Sequence, residues 1–260
     1  MKSLSTELYE KFDYEPESVY DKTVLITGGT TGIGRATALL LAAQGAHVMI
    51  FGRHEQELND ALDDLRQITL EQNILGLQAD VSKPEDVQRI FSEVDKQFKK
   101  LDILINNAAL PYNSVMDGTF EDWQEVVNTN LMGYLACTHE AVERMKQASD
   151  GGHIVNIGSM SADVHERGSS VYVATKSAIQ GFSKSLSKEV NPMGIRVTLI
   201  EPGSVGTDME EEPPHEQRKM EKQMKMLKAE DIAACVLYAL TQPKRCEIAM
   251  VQIRPHLQSI

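Results

Sequence analysis

Cysteine is scarce in this chain of 260 residues: Cys137, Cys235 and Cys246 are the whole supply. Their number is odd and no two stand at metal-ligand or redox spacing, so they read as reduced thiols and not as a disulfide framework. Positive charge is also short. Lys and Arg total 26 against 38 Asp and Glu, a formal net charge of −12. A nucleic-acid binder carries the opposite excess, so that class is set aside; the acidic surface suits solubility. No apolar run reaches the roughly 18 residues that a membrane span needs. The first 22 residues, MKSLSTELYEKFDYEPESVYDK, hold no apolar core and are not a secretory signal. The expected location is the cytoplasm, with no membrane partner. The seven histidines lack metal-ligand spacing, and no metal site is expected.

What remains is ordinary globular material, 42% apolar and 25% charged. From Lys22 onward, short apolar runs alternate with longer helical patterns. The runs are TVLITG, AHVMIFG, ILGLQAD, LDILINNAA, HIVNIGS, IRVTLIEPG and EIAMVQI, with six principal helices between them. Strict alternation of this kind predicts a doubly wound α/β domain: a seven-stranded parallel sheet with helices on both faces. The strands read as unbroken apolar runs because both of their faces are to be covered. Residues 1–21 form a polar lead-in, and 22–260 a single domain. Residues 209–228, MEEEPPHEQRKMEKQMKMLK, break the composition. Their Pro-Pro step and glutamate run interrupt regular structure, while Met209, Met220, Met224 and Met226 offer adaptable apolar contact. A mobile lid is expected there; the alternative is an amphipathic helix packed on the body.

The first strand leads into TGGTTGIG, Thr27–Gly34, and then a helix. Strand, glycine-rich turn and helix N-terminus form an anion site, where backbone N–H groups and the helix dipole meet a pyrophosphate. Gly28, Thr30, Thr31, Gly32, Ile33 and Gly34 are therefore candidate dinucleotide contacts. Arg53 follows the loop by about 20 positions, the place where a residue meets the adenosine ribose. Gly52 stands where an aspartate would mark NAD. A guanidinium can grip a 2′-phosphate, so NADP(H) is the expected cofactor. The plain alternative is a surface arginine at a strand end.

Tyr172 and Lys176 are four apart and share one helix face. A phenol with a pKa of about 10 is a weak base at neutrality, and a nearby ammonium lowers it, so the pair can exchange a proton with a carbonyl or alcohol oxygen. Ser159 ends a strand, where its hydroxyl can meet an oxygen that gains charge. Singly, these residues read as structural: a common helix pair and a turn serine.

Taken in order, the motifs resemble the short-chain dehydrogenase/reductase family, in its compact single-domain branch, from Lys22 to about Gln252. They are TGGTTGIG, Asp80-Val81, NNAA (Asn106–Ala109), NLMG after VVNT, NIGS, Tyr172-x-x-x-Lys176 and EPGSVGTDM. The resemblance implies that Asp80 and Val81 lie by the adenine ring, and that Asn107 and Ala108 line the cofactor channel. It implies that Pro202, Gly203, Val205 and Thr207 meet the nicotinamide end. It gives Lys176 the nicotinamide ribose, and Asn130 a carbonyl that holds a relay water. The implied activity is NADP(H)-dependent interconversion of a carbonyl and a secondary alcohol, with Ser159, Tyr172, Lys176 and Asn130 as catalytic residues. The implied assembly is a dimer or tetramer through the helices carrying Asn130 and Tyr172. The competing class is a dinucleotide-binding regulatory or scaffold protein without activity. Substrate loops at 109–116, 160–168 and 204–228 carry no readable code, though Arg167 could meet a substrate carboxylate.

Overall fold

Aliphatic and β-branched runs bounded by glycine, asparagine and aspartate become strands, and the 3.6-periodic stretches between them become helices. The computed structural model describes residues 14–148, 150–210 and 212–258. In chain order it contains β1 (Thr23–Thr27), α1 (Gly32–Ala43), β2 (His47–Gly52), α2 (Glu55–Arg66), β3 (Ile74–Gln78), α3 (Pro84–Phe98), β4 (Ile103–Asn106), α4 (Phe120–Val127), α5 (Gly133–Met145), β5 (Gly152–Ile157), α6 (Ser161–Val164), α7 (Ser170–Val190), β6 (Ile195–Pro202), β7 (Val205–Gly206), α8 (Pro214–Lys222), β8 (Leu227–Lys228), α9 (Ala229–Leu240) and β9 (Met250–Ile253). Seven strands form one sheet in the order β3-β2-β1-β4-β5-β6-β9, and every neighbouring pair is parallel. This is the expected doubly wound fold. The two-residue strands β7 and β8 form a separate small ladder.

The sheet is apolar on both sides. Val24, Ile26, Val48, Ile50, Ile103 and Ile105 pack beneath α1, α2 and α9. The intervening Leu25, Met49, Phe51 and Leu104 pack beneath α3, α5 and α7. Side chains alternate between faces along each strand, and both sets are buried; this is why no polar–apolar alternation is visible in the sequence. The order of strands reverses between β1 and β4. That switch point opens a crevice at the carboxyl ends of the strands, where ligands of such sheets bind.

The lead-in is partly part of the body. Val19 is buried in the core beside β1 and α1, Glu17 N donates to Thr241 O (3.0 Å), and the Tyr20 ring lies against Gly45. Residues 1–13 fall outside the described residues. The Pro-Pro step behaves differently from the expectation. It does not interrupt structure but starts α8, with Pro214 in the first helical turn, where a missing N–H costs nothing. Met226 is buried, while Met209 and Met224 are exposed.

His153 on β5 is buried beside Thr198 of β6, with its Nε2 at 2.8 Å from Thr198 Oγ1. Burial, with Arg196 adding, pushes its pKa down to about 3. The unfolded chain therefore binds this proton first as pH falls, and the fold loses stability from about pH 6.5 downward. Urea unfolding should show a loss of about 1 kcal/mol per pH unit below 6.5 beyond that of His153→Gln. Parallel slopes for the two proteins would refute the burial argument.

Candidate active site

Thr27, the last residue of β1, joins the two sides of the crevice. Its Oγ1 accepts from both Asn107 N and Ala108 N, each at 2.8 Å. The Asn107 side chain returns two bonds, from Nδ2 to Thr27 O and to Gly28 O, each at 3.0 Å. The turn after β1 and the segment after β4 are thereby one unit. Gly28 and Gly32 have positive φ values of 62° and 50°, a region that glycine enters without strain. A Cβ on Gly34 would run into the carbonyl of Gly28. Close approach at these glycines is thus already required by the protein's own backbone.

The residues fit a dinucleotide. No side chain caps the start of α1, and its first turn holds no acid, so its N–H groups are available to an anion. Thr31, at the cap position, instead donates from Oγ1 to Asp208 Oδ2 (3.0 Å), and Ile33 packs on the core. Thr30 is buried against Gly52, where a Cβ would lie 2.6 Å from Thr30 Oγ1; an aspartate is thereby disfavoured at position 52. Arg53 is exposed at the end of β2 and pairs with Glu125 of α4. Asp80 Oδ1 accepts from Ser82 N (2.9 Å) and Ser82 Oγ (2.7 Å), a local turn before α3. The Val81 methyls pack against Gly133.

On the other side, Met160 N donates to Pro202 O (2.9 Å) and Gly203 N to Ile253 O (2.8 Å), tying this turn to β9. Val205 lies in β7, and the Thr207 methyl sits over Gly32. The segment expected at the nicotinamide end therefore closes down on the glycine turn.

The four expected catalytic residues converge at the carboxyl end of β5. Lys176 is 2% exposed, and its Nζ donates to Ile157 O at 3.0 Å. Tyr134 Oη donates to the same carbonyl, also at 3.0 Å. The lysine nitrogen lies 5.6 Å from the centre of the Tyr172 ring. Ser159 hydrogen-bonds the Tyr172 phenol, and its Oγ also accepts from Ser161 N at 3.1 Å. Asn130 lies in a five-residue π-helical turn, Asn128–Met132, between α4 and α5. Its side chain accepts from Leu110 N (2.7 Å) and donates to Leu110 O (2.9 Å) and Thr175 Oγ1 (3.3 Å). An asparagine inside a helix is thereby explained: it clamps the loop after β4 to α7. Such π turns recur at functional sites.

The chain matches the family profile described as short chain dehydrogenase over residues 22–219. An uncharacterized oxidoreductase of Staphylococcus aureus is 34% identical over 237 residues, covering 90% of this chain and 97% of the relative. An uncharacterized oxidoreductase of Staphylococcus epidermidis is 34% identical over 238 residues, covering 91% and 98%. The crystal structure of a short-chain type dehydrogenase/reductase from Mycobacterium marinum superposes with a TM-score of 0.81 at 26% identity, covering 91% and 94%. The chain belongs to the short-chain dehydrogenase family.

As a short-chain dehydrogenase it is an oxidoreductase of a family that uses nicotinamide dinucleotides. No helix among the described residues is long and apolar enough to cross a membrane. The electrostatics depart from the sequence expectation in one respect. Tyr172 is not lowered by Lys176 here: burial holds the phenol up at about 12, the Ser159 hydrogen bond opposes this, and Glu210 and Glu166 add to it. Burial brings Lys176 down to about 8. Sequence reasoning missed Thr27, Tyr134, Thr175 and the Ile157 carbonyl. Thr27 lay within the glycine motif and could have been found there, whereas nothing local marks the others. Of the loop residues after Ser159, Glu166 is held by Ser161 Oγ at 3.3 Å, and Arg167 is exposed.

Lys176 has a stability signature. Between pH 8 and 10.5 the unfolded chain holds this proton and the folded chain does not, so wild-type stability rises with pH across that window. Relative to Lys176→Met, the wild type should gain about 3 kcal/mol there, measured by denaturant unfolding. A constant difference between the two proteins would contradict a buried, depressed lysine.

Proposed function

We propose that this short-chain dehydrogenase interconverts a carbonyl and a secondary alcohol with NADP(H), and that Tyr172 is its acid/base. One observation carries the reading: a phenol bonded to a serine hydroxyl stands beside a buried lysine, at the carboxyl end of the sheet and next to a dinucleotide crevice. The bound nicotinamide would supply or remove the hydride. Ser159 Oγ and Tyr172 Oη would hold the substrate oxygen between them. In reduction, the neutral phenol gives its proton to that oxygen as charge develops there. The phenolate left behind keeps the Ser159 hydrogen bond, which favours it, and Lys176 beside the ring is the group in place to help restore the proton. Asn130 fixes Leu110 and Thr175 around the tyrosine–lysine pair.

NADP(H) over NAD(H) is supported by the exposed Arg53 guanidinium and by Thr30, which leaves no room for a carboxylate at position 52. A homo-oligomer is supported by the apolar character of the faces around Asn130 and Tyr172. Val115, Trp123, Val127, Leu131, Val171 and Ala174 line a cleft there of about 390 Å³. A cytoplasmic site of action accords with the acidic, soluble-type composition. The segment 209–228, with α8 between two short strands, is proposed as the substrate lid.

Loss of reduced-nicotinamide absorbance across a carbonyl panel tests the reading. Tyr172→Phe should lower turnover by about 10²-fold or more and leave the NADPH Kd within about twofold. Turnover that survives in Tyr172→Phe would remove the tyrosine from the chemistry. NADPH binding without any turnover in the wild type would favour a binding protein.

A further inference from the structure

Arg53 does not wait alone for a ligand. Its backbone carbonyl accepts from Gln78 Nε2 at 2.9 Å, which fixes the end of β2 against β3. Its guanidinium reaches across the carboxyl edge of the sheet to α4, where Nη1 donates to Glu125 Oε1 at 2.8 Å. Both side chains stay accessible, Arg53 at 36% and Glu125 at 55%. Two other arginines borne by the adjacent helices are held elsewhere. Arg35 donates to Asp64 Oδ2 (3.1 Å from Nε) and to Asp60 O, and Arg89 donates to Asp86 Oδ1 and to Gln78 O, each at 2.7 Å. The cation expected to read the adenosine 2′ position is therefore shared with a carboxylate.

We propose that Glu125 sets the cofactor preference by competing with the 2′-phosphate for Arg53. This rests on the NADP(H) reading above. A guanidinium has two faces of donors, and Glu125 occupies one of them. A phosphate taking the other brings a second anion close to the Glu125 carboxylate, and part of the Arg53 attraction is cancelled. A cofactor with a plain 2′-hydroxyl meets no such repulsion. Glu125 thus narrows the margin between NADPH and NADH without touching the reacting atoms. The pair is solvent-exposed, so the effect is modest and weakens with salt.

The test is equilibrium binding of NADPH and of NADH, followed by nicotinamide fluorescence, for the wild type, Glu125→Gln, Arg53→Gln and the double variant. Among the described residues Glu125 makes one side-chain hydrogen bond, at the surface, so the substitution leaves the fold intact. Glu125→Gln should tighten NADPH about three- to tenfold and leave NADH within about twofold, with the gain shrinking at high salt. The gain should fall below about twofold when Arg53 is already glutamine, because freeing Arg53 is its source. If Arg53→Gln selectively weakens NADPH while Glu125→Gln leaves it unchanged or weaker, the competition is refuted and the NADP(H) reading stands. If Arg53→Gln weakens neither cofactor selectively, the NADP(H) reading itself fails, and this inference with it.

Discussion

The double acceptance at Thr27 is the constraint on which the rest depends. One hydroxyl takes the N–H groups of Asn107 and Ala108, and Asn107 hands its amide back to the carbonyls of Thr27 and Gly28. These bonds lie where the strand order reverses, between β1 and β4. They set the glycine turn against the segment after β4 and hold the crevice to a fixed width. The glycines follow from that geometry. Gly34 must lack a side chain because the Gly28 carbonyl already fills the space, and Gly28 because Ala108 and Asn107 crowd it.

The candidate catalytic end is built by burial more than by charge. Lys176 is enclosed and spends a donor on the Ile157 carbonyl, which also takes the Tyr134 hydroxyl. Enclosure depresses the lysine to about 8 and raises the tyrosine to about 12, so two groups that lie close together in pKa in water are pushed apart. Environments that push neighbouring pKa values apart are how two adjacent groups come to hold different proton roles. Asn130 and Thr175 keep the pair in register with the loop after β4.

Much of this was legible in the sequence, and the reasons are local. The seven sheet strands and their order of helices follow from apolar runs and turn residues, and TGGTTGIG, NNAA, NIGS and the Tyr172–Lys176 spacing pointed to the candidate site. What escaped has a non-local cause. The π turn around Asn130 comes from clamping Leu110 and Thr175, residues far away in sequence. The pKa of Tyr172 is decided by how tightly the loop and helix close over it, which spacing does not encode. The Pro-Pro step looked like a break, because proline stops a helix it falls within, yet it begins α8, because proline also fits the first turn. Glu125 could not be matched to Arg53 before the sheet edge was folded.

The most direct measurement is the titration of Tyr172 itself, by ultraviolet difference absorbance of the wild type minus Tyr172→Phe, with and without NADP⁺. The free protein should show no Tyr172 phenolate below about pH 10, because burial holds the phenol up; bound NADP⁺ should bring the ionisation down toward neutrality. A phenolate already present near pH 7 in the free protein, or an ionisation that NADP⁺ leaves unmoved, would contradict the account.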